Sequence, residues 1–480
     1  MNQTTRLLLP FSLLCISSLK AIDWPQWRGP DRSGASPETG LLQSWPDGGP
    51  KLLWEGGAVG VGFSSVAIAG DKIFTMGDKD GSSHLFGLNK SNGATLWSVQ
   101  VGKPGGNYSG TRCTPTVDGV SVYALGQFGD LLCVDAASGR ENWRKNIQAE
   151  YGGKSGGWNY SESVLIDGNQ LICSPGSNEA SVVALNKTNG SLLWKNSLPK
   201  QNKADYSSWV ISNAAGVKQY VRLYNGGTYG IAAADGKLLW HYDKLGPNTA
   251  NIPTPIPFEN YIFTAAGYGK GGALLQLSRA GSGISVEEVY YTRELKNKHG
   301  GIVKVGNYIY GDFDDRGQPW CADIMTGKIM WKKSRGEGSG SACVTYADGR
   351  LYFRYQDGIM ALIDSSPENG FQQISTFKIP DGMKQSWAHP VISDGRLYLR
   401  GNNKILCYDI SDPSRKAASS APVIPQTPRL WQDNTGNFQV QATYQSQQGG
   451  NVILKKEDGT VIRVPIFRLS AQDRAFLNGK

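Results

Sequence analysis

The sequence has few of the residues that build metal or redox centres. It contains only four histidines, and no two of them have the H-x-x-x-H spacing of a metal site. None of its seven cysteines is adjacent to another, and no C-x-x-C pair occurs. The closely spaced ligands that structural zinc sites use are therefore missing. From these absences we predict no metal site. We also assign no catalytic residue and expect no bound cofactor.

Blocks of like charge are missing as well. The formal net charge is +9, yet no five consecutive residues carry charge of one sign. A mildly basic, mixed surface of this kind lacks the dense positive stripe of a nucleic-acid-binding protein. We therefore predict no nucleic-acid partner.

Long apolar runs are confined to the start of the chain. Leu7–Ser18 follows a single arginine, has the length of a signal-peptide core and is too short to span a bilayer. We predict a signal peptide over residues 1–21 and an exported protein, periplasmic or extracellular. A lipoprotein anchored at Cys15 is the alternative, although Leu14 stands where a lipobox has a small residue. No transmembrane segment is predicted, and peripheral membrane association stays open.

Export would place the other six cysteines in an oxidising compartment. Most of them lie within apolar strand patterns, where cysteine serves as a small core residue. We therefore expect buried free thiols. Because an even number permits pairing, one disulfide, such as Cys113 to Cys133, is the alternative.

What the sequence does contain is a repeated hairpin that ends in tryptophan. Val183–Trp194 reads VALNKTNGSLLW, in which an Asn-Gly turn separates two apolar strands. Glycine suits the positive φ angle of such a turn. Five copies place the turn glycine four residues before the tryptophan, at Gly93/Trp97, Gly139/Trp143, Gly190/Trp194, Gly236/Trp240 and Gly327/Trp331. Intervals of 46 or 51 residues, with one double interval of 91, predict a β-propeller.

Eight inner strands are predicted, starting near Ser64, Thr114, Ser163, Ser208, Thr254, Gly301, Ala342 and Pro390. Lys51–Gly57 has the pattern of an outer strand whose partners lie at Ser386–Ile410, so both chain ends would close one blade and remove free sheet edges. Large rings should dock neighbouring blades. They are Trp54, Trp97, Trp143, Trp194, Trp240 and Trp331, with Tyr291 and Phe377 as stand-ins. The predicted fold class is all-β, an eight-bladed β-propeller, with seven blades as the alternative.

Differences in composition separate a lead-in segment, the propeller, a linker and a C-terminal domain. Residues 22–50 form a Pro- and Gly-rich lead-in that we expect on the outside of the propeller, which covers 51–411. Residues 412–428 are rich in Ser, Ala and Pro and predict a flexible linker. Alternating apolar runs in 429–480 predict a small SH3-like β-barrel that follows the propeller. We expect a monomer.

The repeat resembles that of the pyrroloquinoline-quinone (PQQ) type of propeller, and Asp23–Gly34 (DWPQWRGPDRSG) resembles the opening of exported bacterial members. Quinoprotein alcohol dehydrogenases share this repeat, as does the non-enzymatic propeller lipoprotein of the bacterial barrel-assembly machine. The resemblance implies, for the enzymes, a quinone stacked between a tryptophan and a disulfide of adjacent cysteines, with calcium beside it. Glu162 and Asn251 could be calcium ligands here, and Asp314 or Asp315 a base, but the disulfide has no counterpart.

Residues 429–480 resemble the homology domain first described in a yeast endocytic adaptor. In adaptors this domain captures short Asn-Pro-Phe-x-Asp peptides, and for this chain the resemblance implies protein or peptide binding. The matching residues are Arg429, Trp431, Asp433, Gly436, Phe438, Val440, Ala442, Val452, Leu454, Gly459, Val464, Pro465, Leu469, Ser470 and Asp473.

Two glycine motifs do not have the sequence context of a functional site. Gly153–Gly157 matches G-x-S-x-G, but no helix follows it as a nucleophile elbow requires. Gly267–Gly272 matches G-x-G-x-x-G, but a strand follows where a dinucleotide site needs a helix.

A small ligand of the propeller would enter its central channel. Candidate residues at the channel mouth are Arg112, Trp158, Tyr160, Glu162, Asn251, His299, Trp387 and His389. They could hold a small polar ligand, or they could plug the channel and bond to one another. We predict an exported, non-catalytic scaffold that binds a protein or peptide through the propeller and the small barrel. The alternatives are a PQQ-dependent oxidoreductase, with PQQ and calcium in the channel, and a sugar-binding propeller.

Overall fold

The computed structural model describes residues 22–281, 283–380, 385–414, 428–436, 438–448 and 451–477. The signal peptide predicted at 1–21 and most of the linker predicted at 412–428 lie outside these residues. The chain divides into two compact units, Met1–Ile410 and Ser411–Lys480.

The described part of the first unit contains eight four-stranded antiparallel sheets, the number of repeats counted in the sequence. Sheet 1 contains β2 (Ala67–Ala69), β3 (Lys72–Lys79), β4 (Ser82–Asn89) and β5 (Thr95–Gly102), and sheet 2 contains β6 (Thr116–Asp118), β7 (Ser121–Leu125), β8 (Asp130–Asp135) and β9 (Glu141–Asn146). Sheet 3 contains β10 (Leu165–Asp167), β11 (Gln170–Cys173), β12 (Val182–Asn186) and β13 (Leu192–Asn196), and sheet 4 contains β14 (Val210–Ser212), β15 (Gln219–Tyr224), β16 (Gly227–Ala232) and β17 (Leu238–Tyr242). Each inner strand begins within three residues of its predicted start.

Sheets 5 to 8 complete the ring. Sheet 5 contains β18 (Ile256–Phe258), β19 (Tyr261–Ala266), β20 (Gly271–Ala280) and β21 (Gly283–Thr292), and sheet 6 contains β22 (Val303–Val305), β23 (Tyr308–Asp312), β24 (Pro319–Asp323) and β25 (Ile329–Lys332). Sheet 7 contains β26 (Ala342–Ala347), β27 (Arg350–Tyr355), β28 (Ile359–Asp364) and β29 (Gln373–Lys378), and sheet 8 contains β30 (Val391–Ser393), β31 (Arg396–Gly401), β32 (Lys404–Asp409) and β1 (Lys51–Gly56). The described helical segments of this unit are short, namely α1 (Ile147–Tyr151) and 3-10 turns at Ala214–Gly216, Arg293–Leu295 and Pro367–Asn369.

Sheet 8 is built from both ends of the first unit. Its outer strand β1 pairs antiparallel with β32, which confirms the predicted closure. The buried Arg400 of β31 then ties this sheet to sheet 1, because its guanidinium donates to Thr75 Oγ1 and to the Gly60 carbonyl, each at 2.8 Å. A ring closed in this way leaves no sheet of the propeller without a neighbour to cover its faces.

The closing tryptophans share one register position. Trp97 pairs with Gly87 of the third strand, and a bulge follows that pair. In sheets 2, 3, 4, 6 and 8 the third-strand partner of the tryptophan is Cys133, Ala184, Gly230, Cys321 or Cys407. All of these are small, because the indole folds over them. The ring also reaches the next sheet: Trp97 donates its indole N–H to the Ala136 carbonyl at 3.3 Å, and a Cβ on Gly139 would lie 2.7 Å from the ring.

Two sheets fill this position differently from the expected stand-ins. In sheet 5 the residue in register is Tyr290, not Tyr291. Its hydroxyl donates to the Ile324 carbonyl at 2.8 Å, which is the equivalent of the Trp97 contact. In sheet 7 the register position holds Ser375 rather than Phe377. The space is filled from elsewhere in the chain, as described next.

The lead-in crosses the channel, so the expectation that it packs on the outside is wrong for residues 22–36. It meets all eight sheets at or just before their inner strands, at Ile68, Val117, Ser163, Trp209, Thr254, Ile302, Tyr346 and Ser393. Arg28 and Arg32 are buried here, and Arg32 Nη1 donates to the carbonyls of Ser163 at 3.0 Å and Trp209 at 2.9 Å. Carbonyls that converge on the channel axis need such donors, which the strand ladders do not supply. Beyond this crossing, Trp45 packs among residues of sheets 7 and 8.

All six cysteines among the described residues are free and buried, so the alternative disulfide Cys113 to Cys133 is wrong. Burial raises the pKa of the Cys113 and Cys407 thiols to about 12. Three of the six lie at the repeated position beneath a tryptophan, which explains why cysteine was used as a small core residue. No helix in the described residues is both long and apolar enough to cross a membrane.

The second unit is a separate four-stranded antiparallel sheet. Its strands, in spatial order, are β33 (Arg429–Gln432), β34 (Gln439–Gln448), β35 (Asn451–Lys456) and β36 (Val461–Pro465), followed by a 3-10 turn Ile466–Arg468 and helix α2 (Ala471–Leu477). Trp431 is its core residue and donates to the Ala442 carbonyl at 2.9 Å. Asp473 of α2 accepts from the Gln432 amide at 2.7 Å, which ties the helix to the first strand.

Candidate functional site

A cavity of about 340 Å³ lies at the end of the channel where the inner strands begin. Its walls come from the residues that precede the inner strand in each of the eight sheets. They include Phe63, Arg112, Trp158, Tyr206, Ile252, His299, Ser341 and Trp387. Trp27 of the lead-in closes the inner end: its indole N–H points to Thr254 Oγ1 at 3.4 Å, and its ring packs edge-on against His389 at 4.5 Å. The cavity volume lies in the usual range for a site that holds one small organic molecule.

Five of the eight predicted channel residues line this cavity, and three do not. Arg112, Trp158, His299, Trp387 and His389 are in the walls. The remaining three, Tyr160, Glu162 and Asn251, are buried behind them.

Two of the three buried residues make contacts that support the fold. Tyr160 donates its hydroxyl to the Pro175 carbonyl at 2.7 Å. Glu162 forms a fully buried ion pair with Arg222 of the neighbouring sheet and also accepts from Ser174 Oγ at 3.2 Å. Burial raises the pKa of Glu162, and the Arg222 charge opposes that rise. Neither amide atom of Asn251 has a hydrogen-bond partner among the described residues.

Aromatic side chains form most of the apolar wall. Trp387 stands at the centre of one side, with the His299 ring stacked on it at 4.9 Å and Phe63 at 5.1 Å. Tyr108 meets Trp387 edge-on at 5.3 Å and is half exposed at the rim. The Trp387 indole N–H donates to Gln356 Oε1 at 2.9 Å, which fixes the ring. Rings held in this way form a preorganised surface for a flat or ring-shaped ligand.

The two imidazoles are neutral at physiological pH. His299 Nδ1 lies 2.8 Å from Ser341 Oγ, and burial lowers the pKa of this imidazole to about 4. Burial also lowers the pKa of His389 well below its ordinary value, and the Arg28 charge adds to this effect. An imidazole of such low pKa is a weak base, and among the described residues no carboxylate is hydrogen-bonded to His299. The contact between His299 and Ser341 joins the wall segments that precede the inner strands of sheets 6 and 7.

Among the described residues that line the cavity, one cation lacks a counter-ion. The Arg112 guanidinium donates to the carbonyls of Asn107 at 2.7 Å and Tyr108 at 2.9 Å, and no carboxylate among the described residues pairs with it. Burial lowers the pKa of Arg112 to about 10, so it remains charged at neutral pH. The second cation, Lys298, pairs with Asp315 at 2.6 Å. The described residues that line the cavity thus carry a net charge of one positive unit.

Sequence reasoning missed several lining residues. Phe63 and Tyr206 hold the same place before an inner strand as Arg112, so the repeat phase could have identified them. Tyr268, Asp315 and Gln356 come from turns between second and third strands that reach the same end. No periodic signal indicated Trp27, because the lead-in lies outside the repeats.

The residues present do not fit a PQQ and calcium site. Among the described residues no cysteine lines the cavity, so the disulfide that covers the quinone has no counterpart. Glu162, one of the two residues named as possible calcium ligands, is bound to Arg222 and Ser174 instead. No group of three His, Cys, Asp or Glu residues in the described chain is arranged to hold a metal ion.

The repeated four-stranded sheets around a channel define this chain as a β-propeller of the PQQ-like repeat class. A family model described as outer membrane protein assembly factor BamB matches residues 47–156 and 81–333, and a second, SLA1 homology domain 1, matches 420–479. The chain belongs to the family of the first model, with an SLA1 homology domain at its C-terminal end.

Individual relatives are distant. Tetrathionate hydrolase of Acidithiobacillus ferrooxidans is 24% identical over 66% of this chain and 53% of its own length. BamB of Burkholderia pseudomallei is 25% identical over 52% of this chain and 61% of its own length. The chain thus spans between half and two thirds of the length of these relatives. The crystal structure of quinohemoprotein alcohol dehydrogenase from Comamonas testosteroni superposes with a TM-score of 0.56 at 13% identity, covering 86% of this chain and 83% of that one, and this similarity concerns the fold alone.

Proposed function

We propose that this protein is an exported, non-catalytic binding protein that captures another protein or peptide. The observation that supports the proposal is that ionisable groups of the channel are engaged in contacts with other protein side chains. Glu162 is bound to Arg222, and His299 to Ser341. These groups hold neighbouring sheets together, so the channel offers a surface for binding and not the poised acid and base that hydrolysis or oxidation needs.

The outer strands supply the surface for a protein partner. In six sheets an exposed aliphatic residue directly precedes the closing register position, and its side chain is 37% to 47% exposed. We call these the rim residues, and they are Leu53, Leu96, Leu193, Val289, Met330 and Ile374. Exposed apolar side chains beside a strand edge that is paired on one side only favour contact with another polypeptide. The similarity to proteins named outer membrane protein assembly factors supports the same kind of partner.

The second unit adds a further binding surface. Leu430, Phe438 and Val461 are each more than half exposed on it. A second weak site on one chain raises the effective concentration at a shared partner. The match of residues 420–479 to SLA1 homology domain 1 supports peptide capture by this unit.

Site-specific photocrosslinking in the exporting host tests the proposal. A photoreactive phenylalanine analogue replaces Leu96 or Leu193, and the full chain is otherwise unchanged. Sheet 2 offers the matched control, because exposed Asn142 takes the rim place there. We expect one discrete protein adduct from Leu96 and Leu193 and a much weaker one from Asn142. Absence of a discrete adduct at every position, or saturable binding of PQQ and calcium with turnover of an alcohol, would overturn the proposal.

A further inference from the structure

The channel cavity has a chemistry that protein capture at the rim does not use. In the described part of the chain, seven aromatic rings of Trp, Phe and Tyr line it: Trp27, Phe63, Tyr108, Trp158, Tyr206, Tyr268 and Trp387. A wall of this kind favours a ligand with a ring-shaped body whose C–H faces can pack against aromatic surfaces.

The polar groups between these rings are mostly hydrogen-bond donors. The hydroxyl oxygens of Ser163 and Ser208 each accept a backbone N–H at 2.9 Å, from Thr114 and Ser163 respectively. Their hydroxyl hydrogens therefore remain available to a ligand. Gln356 uses its Oε1 for Trp387, which leaves its amide N–H groups to donate as well. A ligand without oxygen atoms would leave these donors unmatched and lose affinity.

The cavity also favours a ligand that carries a negative charge. Arg112 is half-buried, is oriented by three backbone contacts to Gly110, Asn107 and Tyr108, and lacks a carboxylate partner among the described residues. Arg112 still has N–H groups directed at the cavity wall without a counter-ion, so a bound carboxylate would be favoured by charge-assisted hydrogen bonds. Lys298 does not compete for the same anion, because Asp315 already neutralises it.

We propose that the cavity binds an acidic sugar, a pyranose that carries a carboxylate. Its ring packs against the aromatic walls, its hydroxyls accept from Ser163, Ser208 and Gln356, and its carboxylate meets Arg112. This site is independent of the rim residues, so the failure of either proposal leaves the other standing.

Calorimetric titration of the full chain tests this with two ligands that differ only at C6. The glucuronide 4-nitrophenyl β-D-glucuronide carries the carboxylate, and 4-nitrophenyl β-D-glucoside carries a hydroxymethyl group in its place. We expect the glucuronide to bind about tenfold more tightly, as one charge-assisted hydrogen-bonded contact would provide. Arg112→Gln should bring the two affinities together, whereas Arg293→Gln, at an exposed arginine outside the cavity, should leave the ratio unchanged.

Two further measurements separate the sugar body from the charge and from folding. Phenylacetate, an acid without hydroxyls, should bind more weakly than the glucuronide. Arg112→Lys keeps the charge and should retain part of the preference, which distinguishes lost recognition from lost structure. Equal affinity for glucuronide and glucoside, an unchanged ratio in Arg112→Gln, tighter binding of phenylacetate, or no binding of either glycoside at roughly 10 mM would overturn the proposal.

Discussion

The rings of Trp45 and Tyr352 lie 5.9 Å apart between sheets 7 and 8. Tyr352 lies in the second strand of sheet 7, at the place where other sheets put the aromatic partner of their closing tryptophan. The corresponding distances are 5.8 Å for Trp97 and Phe74 and 6.0 Å for Trp331 and Tyr310. The lead-in therefore supplies the indole that sheet 7 lacks, and the same segment both crosses the channel and completes the packing of the ring.

This relationship predicts that Trp45→Ala destabilises the propeller as a core substitution does. Trp45 is 6% exposed and its backbone N–H donates to Ser375 Oγ at 3.0 Å. We expect a loss of about 3–5 kcal/mol in the free energy of unfolding, measured by denaturant titration. Leu53→Ala, at an exposed rim residue, should cost less than about 0.5 kcal/mol. Equal effects of the two substitutions would contradict the role given to Trp45.

The hairpin repeat was predictable because its signal is local. A turn glycine four residues before a tryptophan is visible in one window. In the structure each such glycine contacts the closing aromatic ring of the preceding sheet, as Gly139 contacts Trp97. Contacts between distant segments gave no such signal. Nothing in the lead-in indicated that Arg32 would bind carbonyls in sheets 3 and 4. The pairing of Glu162 with Arg222 likewise joins two sheets and has no local sequence signal. The sequence analysis therefore predicted the Glu162 carboxylate at the channel mouth, whereas it is buried behind the cavity wall.

Gly139→Ala tests the docking of one sheet on the next. Gly139 has φ +73°, and an added Cβ would lie 2.7 Å from the Trp97 ring. Gly119 is the matched control, because it has φ +58° but open space around the Cβ position. Backbone strain alone should cost about 1–2 kcal/mol at either glycine, and the clash should add about 1–3 kcal/mol at Gly139. Unfolding titrations that gave the same loss for both variants would show that the indole does not depend on this glycine.

Glu162→Gln tests whether the channel carboxylate is structural. It leaves the buried Arg222 charge without its partner, so we expect a loss of about 3–5 kcal/mol in unfolding free energy. Glu150→Gln removes the partly exposed pair with Lys145 and should cost less than about 1 kcal/mol. Adding Arg222→Leu to Glu162→Gln should recover part of the loss, since the unpaired charge is then gone. Full stability of the Glu162→Gln single variant would instead indicate a carboxylate kept for ligand chemistry.

The low pKa of His299 makes stability depend on pH in a stated direction. Its native pKa is about 4, whereas an unfolded histidine titrates near about 6.5, so the unfolded chain takes up the proton first as pH falls. This stabilising contribution is complete above about pH 6.5 and is lost progressively towards pH 4. Burial raises the native pKa of Asp312 to about 7, so protonation of Asp312 stabilises the folded protein as pH falls over the same range. The effect of His299 is therefore isolated by comparing the melting temperatures of the parent and of His299→Gln at each pH. The melting temperature of His299→Gln should fall less than that of the parent between pH 6.5 and 4.5, because the variant has no proton to take up at this position. Parallel curves for the two proteins would mean that the imidazole is solvated in the folded state and that the wall at Ser341 is open to water.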